Sequence, residues 1–141
     1  MDNESRLGGK VLQIPIYETF LLLVVFQVKH FLCDYPLQGQ YMLGKFKGGS
    51  DWVLPLASHA GVHGLFTFGI AACMVPIRIA VMIAIVDYAV HFLQDRLKAS
   101  PNLLGRWKPD NKFFWWALGQ DQMAHHLTHY AIVAYLVTFT L

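Results

Sequence analysis

Charge is scarce in this chain. Only 14% of its 141 residues are Asp, Glu, Lys or Arg, where soluble domains average roughly 25%. A water-facing surface needs that charge, so its shortage points to lipid as the solvent. The net charge of +2 comes without a basic stripe, which argues against a nucleic-acid partner. Cysteine is scarce too. Cys33 and Cys73 stand alone in apolar runs with no CxxC pair, which excludes a disulfide framework. Both read as small core hydrophobes. The HExxH, GxSxG, P-loop and dinucleotide signatures are all absent, and the Lys45–Gly49 stretch KFKGG lacks P-loop spacing. The first apolar run ends in Lys29-His30 and Cys33-Asp34 without a small-residue cleavage pattern, so it reads as a retained helix and not a signal peptide.

What the chain has is apolar length. It is 55% hydrophobic, with a mean hydropathy of +0.40. After a polar N-terminal segment (1–13), four apolar segments run at 14–35, 52–75, 76–97 and 113–141. Each offers the roughly 20 residues that a bilayer span requires. Soluble helices keep a polar face, and stretches such as Phe66 to Ala72 offer none. The expected architecture is all-α, an integral membrane four-helix bundle, with one domain over 14–141. Pro76 punctuates a tight turn, and Trp115 and Trp116 open the fourth segment where an aromatic belt would sit. Lys29 is expected to snorkel to the interface. Gly61, Gly64 and Gly69 permit close helix approach, within the chain or in a homo-oligomer.

Orientation follows from the basic residues. The linker side holds Lys45, Lys47, Arg96, Lys98, Arg106, Lys108 and Lys112, against Arg6, Lys10 and Arg78 on the other. The positive-inside rule then puts linkers 36–51 and 98–112 in the cytoplasm and both termini outside. A bacterial inner membrane is the expected location.

Each apolar segment also carries a string of His and Asp at a spacing of four: His30 and Asp34; His59 and His63; Asp87, His91 and Asp95; Asp121, His125 and His129. That spacing keeps a string on one helix face. On the alternating topology, all four strings fall in the linker-side half of the bundle. A carboxylate near the bilayer centre costs on the order of 3 kcal/mol or more. A divalent metal offsets that cost, and carboxylate and neutral imidazole are its ordinary ligands. The expected ligands are His30, Asp34, His59, His63, His91, Asp95, Asp121 and His125, enough for one or two metals. Zinc comes first, with manganese or iron as alternatives. Asp87 and His129 lie a turn deeper, His129 as a partner behind the ligands. His126 points off the string's face and reads as a bystander.

The segments HFLCDYPLQ (30–38), HAGVH (59–63), HFLQDRLK (91–98) and DQMAHH (121–126) resemble the DUF3307 family of small bacterial and phage membrane proteins. The resemblance spans nearly the whole chain from residue 20. It implies His30, Asp34, Gln38, His63, His91, Asp95, Lys98, Asp121 and His125 as shared positions, with Asp87, His126 and His129 particular to this chain. Similar families are described as membrane-bound metal-dependent hydrolases. The expected activity is therefore hydrolysis of a lipid or phosphate-bearing amphiphile. Asp121 or Asp87 would be the general base, with Gln38 and Lys98 at the substrate head group. Two alternatives stand beside it. One is a di-iron desaturase or hydroxylase, favoured by the paired histidines. The other is a non-enzymatic metal-binding membrane protein, a transporter or a phage effector.

Overall fold

The computed structural model describes residues 15–139; the expected polar segment at 1–13 lies outside them. Four helices account for the fold: α1 (Ile16–Asp34), α2 (Val53–Ala72), α3 (Ile77–Ala99) and α4 (Lys112–Phe139). No strand occurs among the described residues. Two short 3₁₀ turns, Met42–Phe46 and Leu104–Arg106, sit in the two longer linkers. Pro15 and Pro76 stand just before α1 and α3, where proline's fixed φ and missing N–H cost nothing. Arg96 and Lys98 fall in the last turn of α3, where cations suit the helix dipole. This helix runs two residues past the expected 97, so Lys98 belongs to the bundle and not to the linker.

α2 and α3 form the closest pair. Gly64 is the reason. A Cβ there would lie 3.1 Å from the Ala84 carbonyl oxygen and 3.3 Å from Tyr88 Cβ, so only glycine lets the backbones come this near. Gly61 and Gly69 face open space instead. In the second linker, a Cβ on Gly105 would be 2.7 Å from the Ala99 carbonyl oxygen, which seats the 3₁₀ turn on the end of α3.

The interior has two halves. Leu22, Phe26, Ala71, Val75, Ala80, Ile83, Ile132, Val133, Leu136 and Val137 fill the half away from the longer linkers. His30, His59, His63, Asp87, His91, Asp95, Asp121, His125 and His129 fill the half beside them. The outside is the reverse of a soluble protein. Tyr17, Phe20, Leu21, Leu54, Leu65, Met82, Ile85, Leu93 and Leu127 are exposed, a continuous apolar coat far beyond the patch a soluble monomer shows. α1, α2 and α3 have the length and hydropathy of membrane spans. Polar inside and apolar outside, with three such helices, is the pattern of a membrane protein. At 28 residues α4 is long enough as well. Gln120, Asp121, Gln122, His125, His126 and His129 dilute its hydropathy, and most of these serve the interior.

Two expectations change. Lys29 does not snorkel; it is buried on the inward stripe of α1 with Leu22, Phe26 and Cys33. Cys73 is exposed at the end of α2, its thiol donating to the Gly69 carbonyl oxygen at 3.3 Å, and only Cys33 is a core residue.

A buried histidine and aspartate centre

Antiparallel packing brings the four strings together. Each sits on the inward stripe of its helix because spacing of four returns to the same face. His59, His63, Asp87, His91 and His129 have no exposed surface at all. Asp34 contributes from the end of α1, its Oδ1 lying 3.0 Å from His63 Nε2 and 3.4 Å from His59 Nε2. Its Oδ2 lies 3.4 Å from His30 Nε2. The rings of His63, His91 and His125 stack in a column, with centroids 3.8 Å and then 4.2 Å apart. Four groups of three ligand atoms each lie within 4.8 Å of one another: His30, His63 and His91; Asp34, His59 and His63; Asp87, His91 and His129; Asp95, Asp121 and His125. All the expected ligand residues thus meet in one layer, and the deeper Asp87 and His129 join it through His91.

Three lysines enter the same layer. Lys29 donates to Asp87 Oδ2 at 2.7 Å, Lys45 to Asp95 Oδ2 at 2.7 Å, and Lys98 to Asp121 Oδ2 at 2.6 Å. Thr67 also donates to Asp87 Oδ2 at 2.7 Å, and Gln122 donates to Asp121 Oδ2 at 3.1 Å. Lys29, Lys45, Thr67 and Gln122 were not among the residues expected from the spacing. Lys29 had a legible signal, since it lies three residues from Phe26 and four from Cys33 on the inward stripe. Lys45 had none, because it reaches in from a linker turn. Lys98 was expected at a substrate head group, and its ammonium here faces Asp121. Gln38 donates to the Asp34 backbone oxygen at 2.9 Å, which ties the first linker to the end of α1. His126 is half-buried with its ring 5.4 Å from that of His30, at the edge of the layer.

The imidazole nitrogens show which atoms are free to bind. His91 Nδ1 donates to the Asp87 backbone oxygen at 2.9 Å. A carbonyl only accepts, so the proton is on Nδ1 and the Nε2 lone pair is free. That Nε2 is buried without a hydrogen-bond partner. His59 Nε2 likewise makes no hydrogen bond, although Asp95 Oδ2 lies 2.9 Å away. Buried polar atoms are nearly always paired. Several left orphaned in one layer are what a bound metal and the water it carries would satisfy.

The match to known proteins is consistent with this centre and adds no reaction to it. A family model described as "Protein of unknown function (DUF3307)" matches residues 22–141, and the chain belongs to that family. No curated protein and no solved structure matches it.

Proposed function

We propose that the chain is a membrane-embedded metal-dependent hydrolase. Its centre would bind a divalent metal, zinc first, and act on a lipid or phosphate-bearing amphiphile. The observation that carries the reading is the meeting of four buried His/Asp groups in one layer of an otherwise apolar bundle. Unpaired, such groups are costly in a membrane; with a metal they become ligands. The metal would polarise an ester or phosphoryl oxygen and bring a bound water's pKa toward ~7. Asp121 supplies the base: its Oδ1 is buried without a hydrogen-bond partner while Oδ2 holds Lys98. The fully buried Asp87, held by Lys29 and Thr67, serves to hold the deep end of the layer.

An amphiphilic substrate is supported by a groove of about 510 Å³ between α3 and α4, lined by Ile79, Met82, Val86, Val90, Ala131 and Tyr135. Its near end reaches Val90 and Thr128, the neighbours in sequence of His91 and His129. An acyl chain in that groove would bring its head group to the polar layer. The polar layer would face the cytoplasm of a bacterial inner membrane. The basic linkers support that side, with a smaller margin than their count suggests, since Lys45 and Lys98 are paired with aspartates inside the bundle.

The test is elemental analysis of the detergent-purified protein, followed by assay against ester- and phosphate-bearing lipids. Retained zinc, manganese or iron with chelator-sensitive hydrolysis is the expected result. Less than about 0.2 metal per chain after gentle purification would sink the reading, given the affinity of multi-ligand sites.

A further inference from the structure

We infer that the layer holds one metal ion, on Asp34, His59 and His63, and that three internal lysines keep the other aspartates from forming a second site. This rests on the metal reading above. Four carboxylates line the layer. Asp87, Asp95 and Asp121 each have a lysine ammonium within 2.7 Å. Asp34 has none among the described residues and meets only the imidazoles of His30, His59 and His63. Counting carboxylates against ammoniums alone, four face three, and the one left over is Asp34. An apolar bundle tolerates little net charge. One divalent ion with a bound hydroxide or substrate anion brings this layer to neutrality. Two such ions, each with its own anion, would leave it positive, and a second ion on Asp87, Asp95 or Asp121 would sit within a few ångströms of the lysine bound there.

Geometry agrees at Asp34. A tetrahedral site with bonds of roughly 2.0–2.1 Å has neighbouring ligands about 3.3 Å apart. His63 Nε2 and His59 Nε2 lie 3.0 and 3.4 Å from Asp34 Oδ1. The wholly buried His59 Nε2 makes no hydrogen bond and lies between Asp34 Oδ1 at 3.4 Å and Asp95 Oδ2 at 2.9 Å, and of these two carboxylates only Asp34 has no lysine within 2.7 Å among the described residues. Asp34 is also the carboxylate nearest the surface. Its side chain is 17% exposed, against 0%, 4% and 1% for Asp87, Asp95 and Asp121. Three protein ligands beside an opening leave a fourth position for water or substrate, the arrangement of catalytic zinc sites.

The experiment is a Co(II) titration of the chelator-stripped, full-length protein in detergent, read by its visible absorption and by elemental analysis. The wild type is expected to saturate at about one Co(II) per chain. Asp34→Asn and His63→Ala should lose stoichiometric binding, while the paired variant Lys98→Met/Asp121→Asn keeps it. Two Co(II) per chain would overturn the single-site assignment and leave the metal reading standing. So would an Asp34→Asn protein that keeps its metal while the paired variant loses it. A wild type that binds no Co(II) would overturn both. The wild-type count decides the stoichiometry even if a variant fails to fold.

Discussion

The Lys29 ammonium lies 2.7 Å from the Asp87 carboxylate, and both side chains are cut off from solvent. Neither residue could stand there alone. A buried ion pair often contributes little relative to an apolar pair of equal size, yet removing one partner leaves an uncompensated charge and costs about 3–5 kcal/mol. Lys29→Met is therefore expected to destabilise the bundle by about that amount. Lys29→Met/Asp87→Asn should recover most of it, with Thr67 still able to hydrogen-bond the amide. Thermal unfolding in detergent, followed by helical circular dichroism, measures both. A double-variant loss equal to the sum of the Lys29→Met and Asp87→Asn losses would show that the pair is not coupled.

His91 links the deep end of the layer to the metal end. Its Nδ1 is fixed on the Asp87 backbone oxygen and its ring stacks on His63 at 3.8 Å. In the single-metal arrangement it orients a ligand and does not coordinate. Loss of such an orienting partner typically costs 10–100-fold in metal affinity. His91→Ala is expected to weaken Co(II) binding by about 10–100-fold without changing its stoichiometry. His91→Phe, which keeps a ring against His63, should lose less. A His91→Ala protein with no metal at any accessible concentration would make His91 a ligand.

The arrangement was legible in the sequence where helical periodicity carries the information. A spacing of four is a statement about a helix face, so the His and Asp strings could be assigned to the interior before any coordinates. The alternating topology then put them at one depth. Lys29 obeyed the same period, but a lysine near a helix end is ordinarily read as reaching for water, and its partner Asp87 lies 58 residues on, in α3. Lys45 escaped for a different reason: no periodicity governs how a linker turn folds back, and its partner Asp95 is 50 residues distant. The exposed Cys73 shows the converse, since in a membrane protein an apolar environment exists on both sides of the helix.

Gly64 sets the distance between α2 and α3, the helices that carry His59, His63, Asp87, His91 and Asp95. A methyl group there would sit tight against the Ala84 oxygen at 3.1 Å. Gly64→Val is expected to cost about 1–3 kcal/mol by overpacking and to lower metal occupancy by moving His63 away from Asp34. Gly61→Val, one turn toward His59 and facing open space, should leave both nearly unchanged. Unfolding midpoints and metal content of the two variants, measured side by side, check the contrast.

The outer coat separates a membrane bundle from a soluble one. Leu21 is 63% exposed in the first half of α1. On a soluble surface Leu21→Arg would be nearly silent, within about 0.5 kcal/mol. Facing lipid, an arginine in a span costs up to roughly 2.5–3.5 kcal/mol of insertion free energy, the upper figure applying at the centre. The expected outcome is reduced membrane integration of Leu21→Arg, with Ser50→Arg in the exposed first linker as the control. Fractionation and glycosylation mapping of the two variants report it. Unchanged integration would count against lipid as the solvent of α1.

Asp121 is where metal binding and catalysis can be told apart. Its Oδ2 is held by Lys98 and Gln122, while its buried Oδ1 has no hydrogen-bond partner and lies 3.4 Å from His125 Nε2. If the metal sits on Asp34, His59 and His63, Asp121 is free to take a proton from the attacking water. Asp121→Asn keeps the shape and the contact to Gln122 but removes the basic oxygen. The proposed role then requires a fall in turnover of about 10²–10⁴-fold, the usual contribution of a general base. Co(II) stoichiometry should stay at about one per chain, as in the wild type. Loss of metal in parallel with activity would instead make Asp121 a ligand and overturn the assignment of the metal to Asp34, His59 and His63.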